Sequence, residues 1–170
     1  AGKRIDTILA GIGGNNPVVR VMPNTPTLVG KGAAGYSFGN SVSDEQKRFV
    51  IDLLSASGIA VEVNEELQDA VTATSGSGPA YLFAFVEAMI NGAKSLGLSE
   101  EVATKLTVQT MIGAAELLQS SGKSPATLRE NVTSPNGTTF AALQSLSASD
   151  LNKIVEQAMK AARDRSIELN

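Results

Sequence analysis

Cysteine is absent from the 170 residues, which excludes disulfides and thiol chemistry. Histidine is absent too, so Ser-His-Asp triads, histidine metal ligands and a histidine general base are excluded. No run of basic residues occurs and the formal net charge is -3, so nucleic acid is not an expected partner. No apolar stretch reaches the roughly 18 residues of a membrane span, and no signal-peptide pattern is present. A cytoplasmic location without membrane attachment is therefore expected. Chemistry is left to hydroxyls, carboxylates, Lys and Arg, backbone groups or a cofactor. An apolar content of 42% fits a globular chain with a real core, as one large domain or two small ones.

The first third alternates between helical and strand patterns. Ile5, Ile8, Leu9 and Ile12 recur at helical spacing, and the GGNN at 13–16 reads as a stop and turn. Residues 18–22 (VVRVM) form a β-branched run that ends at Pro23, the mark of a buried strand, and 33–38 (AAGYSF) is a second strand candidate. The segment between them, with two prolines and two glycines, reads as a loop. Ser43 opens a capping box, SDEQ, for a helix whose apolar face holds Phe49, Val50, Leu53 and Leu54. Residues 59–63 (IAVEV) follow as a third strand, so the order α-β-β-α-β predicts part of an α/β sheet.

Residues 66–170 carry almost no strand pattern. A short helix is predicted over 67–73, and a long one over 78–96 with Pro79 in its first turn. That second helix is apolar around most of its circumference, which places it centrally in a bundle or a dimer. Further helices are expected from Ser99 to about Ser121, over 124–131, over 140–146 and over 149–168. The last has Leu151, Ile154, Val155, Ala158, Ala162 and Ile167 on one stripe.

Three loops could carry chemistry. Met22-Pro23-Asn24-Thr25-Pro26 follows a strand, where open α/β sheets bind ligands, and a plain proline-stiffened turn is the alternative. Ser75-Gly76-Ser77-Gly78-Pro79 leads into a helix, either for close backbone approach to a ligand or for tight helix packing. It is neither a Walker loop nor a dinucleotide fingerprint. Thr133-Ser134-Pro135-Asn136-Gly137-Thr138-Thr139 precedes a helix with more hydroxyls than one cap needs, which suits a carboxylate or phosphate. Glu62, Glu65, Glu66 and Asp69 read as a solvated helix start, and Lys153, Lys160, Arg163 and Arg165 as a solvated helix face.

Taken together, VVRVMPNTP at 18–26, DAVTATSGSGPAYLF at 69–83 and NVTSPNGTT at 131–139 resemble the pyrroline-5-carboxylate reductase family over essentially the whole chain. The resemblance implies reduction of the C=N bond of 1-pyrroline-5-carboxylate to L-proline by NADPH or NADH, in proline biosynthesis. It also implies a partial Rossmann α/β sheet over 1–64, the carboxy-terminal part of the dinucleotide-binding domain. An all-helical dimerisation and substrate-binding domain over 65–170 would follow, giving a fold that is mainly α. A homodimer through the helical domain is implied, with a higher oligomer left open.

Residue by residue, the resemblance assigns substrate binding to Glu65, Ser134, Gly137, Thr138 and Thr139. The Thr139 hydroxyl would lie beside the ring nitrogen and act in catalysis. Ala1, Gly2, Asn24 and Asn131 would touch the cofactor, and no metal is expected. The family's first strand, glycine-rich phosphate loop and cofactor-selecting residue are expected upstream of Ala1, so this chain alone is expected to be inactive. Asn136 stands where the family usually has glycine, and asparagine tolerates the positive φ such a loop requires. Two alternatives stand beside this reading: a non-catalytic dimerisation module, and a β-hydroxyacid-type dehydrogenase using an interior lysine, Lys94 or Lys105.

Overall fold

The computed structural model describes residues 1–14 and 16–169. Helix α1 covers Ile5–Ile12 and stops at Gly13, whose φ of 66° places it in the left-handed region that glycine tolerates. The turn expected at 13–16 includes Asn15, which lies outside the described residues.

Strands β1 (Val19–Met22), β2 (Gly32–Phe38) and β3 (Gly58–Glu62) form a sheet in the order β1-β2-β3. β1 runs antiparallel to β2, with Val19 opposite Phe38 and Met22 opposite Gly35. β2 runs parallel to β3, with Gly32 opposite Gly58 and Tyr36 opposite Glu62. The sheet is therefore mixed, and the length of the connections explains it. The β1–β2 link holds only a 3-10 helix, Thr25–Val29, ended by Gly30 at φ 69°, which is too short for a crossover. The β2–β3 link carries a full helix, α2 (Asp44–Ser55), and so returns the chain in parallel. The capping box predicted for α2 is present: the Ser43 hydroxyl accepts from Gln46 N, and the Gln46 side chain accepts from Ser43 N. Its apolar residues Phe49 and Leu53 are exposed, however, so that face is not buried within this chain.

After β3 the chain tightens and loosens within a few residues. A 3-10 turn (Glu65–Leu67), the short helix α3 (Gln68–Val71) and a π-helical stretch (Thr72–Gly76) run together. Helices α4 (Gly78–Ser95), α5 (Glu100–Ser121), α6 (Pro125–Asn131), α7 (Thr138–Ala148) and α8 (Leu151–Glu168) follow. Ser99 and Ser124 cap α5 and α6, and Gly122 ends α5 in the left-handed region.

Contacts divide the chain into two compact units. One combines Ala1–Tyr81 with the chain from Glu156 onward, and the other is Leu82–Val155. The sequence places its boundary after residue 64 instead. Residues 65–81 join the first unit because Gln68, Asp69, Thr72 and Ala73 are buried there, and α8 joins it through the buried Ser166. Apolar Ile5, Val18, Ala34, Tyr36 and Val42 complete that core.

The second unit has almost no core of its own. Its buried residues among those described are Ala103 and Thr107, both on α5. Phe83, Leu106, Ile112 and Leu117 are more than half exposed. The apolar stripe predicted on α8 is likewise open: Ile154 is 54% and Ile167 48% exposed, while Ser166, off that stripe, is buried.

Candidate functional site

The first two loops meet. Asn24 Nδ2 donates to Ser75 O at 3.0 Å, and Asn24 Oδ1 accepts from Ala33 N at 2.9 Å. One side chain thereby ties the loop after β1 to β2 and to the π-helical stretch. Gly76 packs against the Met22 side chain, where a Cβ would collide. Gly76 thus lets the Met22 side chain lie close, and among the described residues the Asn24 amide keeps one Nδ2 hydrogen uncommitted.

Gly2 is also packed. Its φ is 81°, and a Cβ there would come within 2.8 Å of Ser166 O and of the Leu169 side chain. Ala1, beside it, is exposed and lines a cleft of about 340 Å3 along β1 with Lys3, Ile8, Arg20, Met22 and Thr72.

Of the carboxylates around the end of β3, Glu62 and Glu66 are exposed as expected, but Glu65 and Asp69 are not. Asp69 is only 6% exposed, and Glu65 is 28% exposed at its side chain. Arg20, on β1, sits between them with Nη1 3.5 Å from Glu65 Oε1 and Nη2 3.5 Å from Asp69 Oδ1. Glu65 Oε1 also accepts from Ile5 N at 2.6 Å, so it closes the open amino end of α1, where no side chain caps. Ser166 Oγ donates to Asp69 Oδ1 at 2.7 Å. Gln68 lies fully buried alongside and donates to Ser37 Oγ at 2.9 Å and to Arg20 O at 3.4 Å. Its Oε1 is buried without a partner among the described residues, as is the Tyr81 hydroxyl. A buried arginine must be compensated, which is why the sheet draws in two carboxylates. An arginine inside the otherwise apolar run VVRVM was the sequence signal for this cluster. Nearby on β2, burial raises the Tyr36 phenol above its ordinary range, and the Glu62 carboxylate adds to the shift.

In the second unit, α6 ends at Asn131, which is exposed. Thr133 Oγ1 donates to Arg129 O at 2.6 Å and secures the exit from that helix. Gly137 N donates to Ser134 O at 3.0 Å, closing a turn around Pro135 and Asn136. Asn136 has φ 58°, the positive value the loop was expected to need. Helix α7 then begins at Thr138 with Gly137 as its cap residue, and no side chain accepts from its first turn. The hydroxyls of Ser134, Thr138 and Thr139 have no hydrogen-bond partner among the described residues, and neither do the uncapped N–H groups at the helix start. These donors surround the positive end of an 11-residue helix. The arrangement can hold a carboxylate without any cationic side chain.

Lys94 and Lys105 stand apart from these features. Lys94 pairs with Glu100 at 3.1 Å and Lys105 with Glu101 at 2.7 Å, both as exposed ion pairs. Both lysines are exposed.

Residues 65–169 match the family model described as pyrroline-5-carboxylate reductase dimerisation. A pyrroline-5-carboxylate reductase of Pseudomonas aeruginosa is 50% identical over 99% of this chain and 62% of its own length. One of Arabidopsis thaliana is 41% identical over 92% of this chain and 57% of its own length. Among solved structures, a Coxiella burnetii pyrroline-5-carboxylate reductase superposes with a TM-score of 0.94 at 38% identity, over 99% of this chain and 63% of that one. A Plasmodium falciparum pyrroline carboxylate reductase with NADP bound gives a TM-score of 0.92 at 36% identity, over 98% of this chain and 67% of that one. The chain thus spans about three fifths of the length of the curated relatives it matches. With a mixed three-stranded sheet followed by helices α4 to α8 and a family match over residues 65–169, this chain belongs to the pyrroline-5-carboxylate reductase family.

Proposed function

We propose that the chain supplies the substrate-holding and subunit-pairing parts of a cytoplasmic reductase that converts 1-pyrroline-5-carboxylate to L-proline. The observation that carries this reading is the uncapped start of α7, with its free hydroxyls, in a chain of this family. The substrate has one carboxylate and a ring nitrogen that is cationic when protonated. The N–H groups of Thr138 and Thr139 hold the carboxylate, Gly137 leaves room for it, and Ser134 adds a hydroxyl. The Thr139 hydroxyl lies beside the ring nitrogen and accepts its proton in a hydrogen bond. Glu65 is the remaining substrate residue of this reading, its negative charge matching a cationic ring. None of this needs a proton shuttle, which accords with a chain lacking histidine.

The bound nicotinamide cofactor supplies the hydride that reduces the C=N bond. Asn24, with one uncommitted amide hydrogen, Asn131 at the exposed end of α6, and the Ala1-Gly2 turn are the residues of this chain that fit its nicotinamide half. Residues 65–170 act as the pairing and substrate-binding domain, and the partner is a second copy. The open apolar residues of α4 and α5 support that pairing.

The test uses a chimaera in which these 170 residues replace the matching part of the Pseudomonas aeruginosa relative. Thr139→Val is expected to lower kcat at least tenfold, on the scale of a lost transition-state hydrogen bond, and Thr139→Ser to restore most of it. Unchanged kcat in Thr139→Val refutes the assignment. Sedimentation of the 170-residue chain should give a dimer at micromolar concentration, and a well-folded monomer counts against the pairing.

A further inference from the structure

Glu65 has two distinct oxygens. Oε1 is fixed by Ile5 N at 2.6 Å and faces Arg20 Nη1 at 3.5 Å. Oε2 has no partner among the described residues, and the side chain is 28% exposed toward a cleft that Asp6, Glu62, Glu66 and Arg4 also line. A carboxylate held by one oxygen and open at the other presents its charge in a fixed direction, which sets Glu65 apart from the exposed Glu62 and Glu66 of the same cleft.

Ile5 N anchors Oε1, and Arg20 is the second group that bears on the same oxygen. That side chain is 8% exposed on a strand and can reach two carboxylates only because its guanidinium is a planar fork. Its second nitrogen is engaged by Asp69, and Asp69 in turn is fixed by Ser166 at 2.7 Å. Four side chains from β1, the 3-10 turn, α3 and the last turns of α8 therefore form one chain of contacts: Ser166, Asp69, Arg20, Glu65. All four belong to the same compact unit.

We propose that Arg20 is a positioning residue for Glu65, and that Asp69 and Ser166 hold Arg20 in the orientation that aims Glu65 Oε2. This rests on the reading of Glu65 as a substrate residue. Arg20 does not touch substrate; it acts through the carboxylate. If Arg20 is given a second orientation, Glu65 keeps only its Ile5 anchor, Oε2 turns, and the substrate loses a fixed counter-charge. Misplacing a directing group by about 1 Å costs on the order of a hundredfold in rate.

The experiment is a double-mutant cycle in the chimaera described above, reading kcat/KM for 1-pyrroline-5-carboxylate and KM for the cofactor. Arg20→Lys keeps the charge but cannot engage both carboxylates, and Ser166→Ala removes only the Asp69 contact. Each is expected to lower kcat/KM for the imine, on the order of tenfold or more for Arg20→Lys and a few-fold for Ser166→Ala, with cofactor KM unchanged. In a Glu65→Gln background both losses should vanish, because no directed charge remains to be aimed. Ser166→Ala, a mild change, keeps the test decisive if Arg20→Lys fails to fold. Losses that persist in full in the Glu65→Gln background overturn the proposal and leave a merely structural cluster. Wild-type kinetics in Arg20→Lys and Ser166→Ala overturn it as well. Wild-type kcat/KM in Glu65→Gln alone overturns the assignment of Glu65, and the positioning role falls with it.

Discussion

Replacing Asn24 with alanine removes two hydrogen bonds at once, and the structure sets the size of the loss. The amide donates to Ser75 O at 3.0 Å and accepts from Ala33 N at 2.9 Å, both partly buried and both spanning different elements. Each such bond contributes about 0.5–1.5 kcal/mol net. Asn24 is only half-buried, so water can re-enter and satisfy part of what is lost; the sum should be about 2 kcal/mol. For a chain of this size that is a fall in Tm of about 4–8 °C. Asn24→Asp separates the two bonds. One carboxylate oxygen still accepts from Ala33 N, while the other now faces the Ser75 carbonyl, acceptor against acceptor. The protonated acid can donate to that carbonyl, so folding raises the pKa of the introduced group. The deficit relative to wild type should therefore be small below the unfolded carboxyl value near 3.9 and grow as pH rises through the higher folded value. Urea unfolding of the 170-residue chain at pH 7 and pH 4 reads both effects. A loss under about 0.5 kcal/mol in Asn24→Ala would refute the claim that this side chain ties the two loops together.

Three further outcomes follow from the same geometry. Gly58 has φ 153° and faces the backbone of Gly32 so closely that a Cβ would overlap Gly32 O; Gly58→Ala should destabilise by more than about 3 kcal/mol in a urea melt, or abolish soluble expression. Ser43→Ala removes one half of the α2 capping box and should cost about 1 kcal/mol by the same assay. The Tyr36 phenol is raised by burial and by Glu62, so its stabilising contribution is complete below the ordinary value near 10 and is lost as pH rises through the higher folded value. Ultraviolet titration should show the Tyr36 phenol ionising only at higher pH, in step with unfolding.

Local signals carried most of the element map. The capping box at Ser43, the serine caps at 99 and 124 and the glycine stop at 122 act within one helical turn, so they can be read from neighbours in the sequence. The geometry of the third loop was legible for the same reason: its positive-φ asparagine and the helix start after it are local features. What escaped was non-local. The antiparallel pairing of β1 with β2 follows from a short connection whose 3-10 turn the sequence did not reveal. The burial of Asp69 depends on Arg20, 49 residues away, and on Ser166, 97 residues away. The apolar stripe of α8 was visible, but its exposure was not, because a stripe shows only that a face seeks a partner and not which chain provides it.

The central claim is that these residues hold a cyclic imino acid while hydride reaches its C=N bond. The most direct measurement supplies the chimaera with 1-pyrroline-5-carboxylate and with NADH or NADPH deuterated at the transferable position, and then determines the mass of the product. The account predicts L-proline carrying one deuterium at the former imine carbon, formed in step with cofactor oxidation. A folded chimaera that yields no proline, or proline without the label, contradicts it.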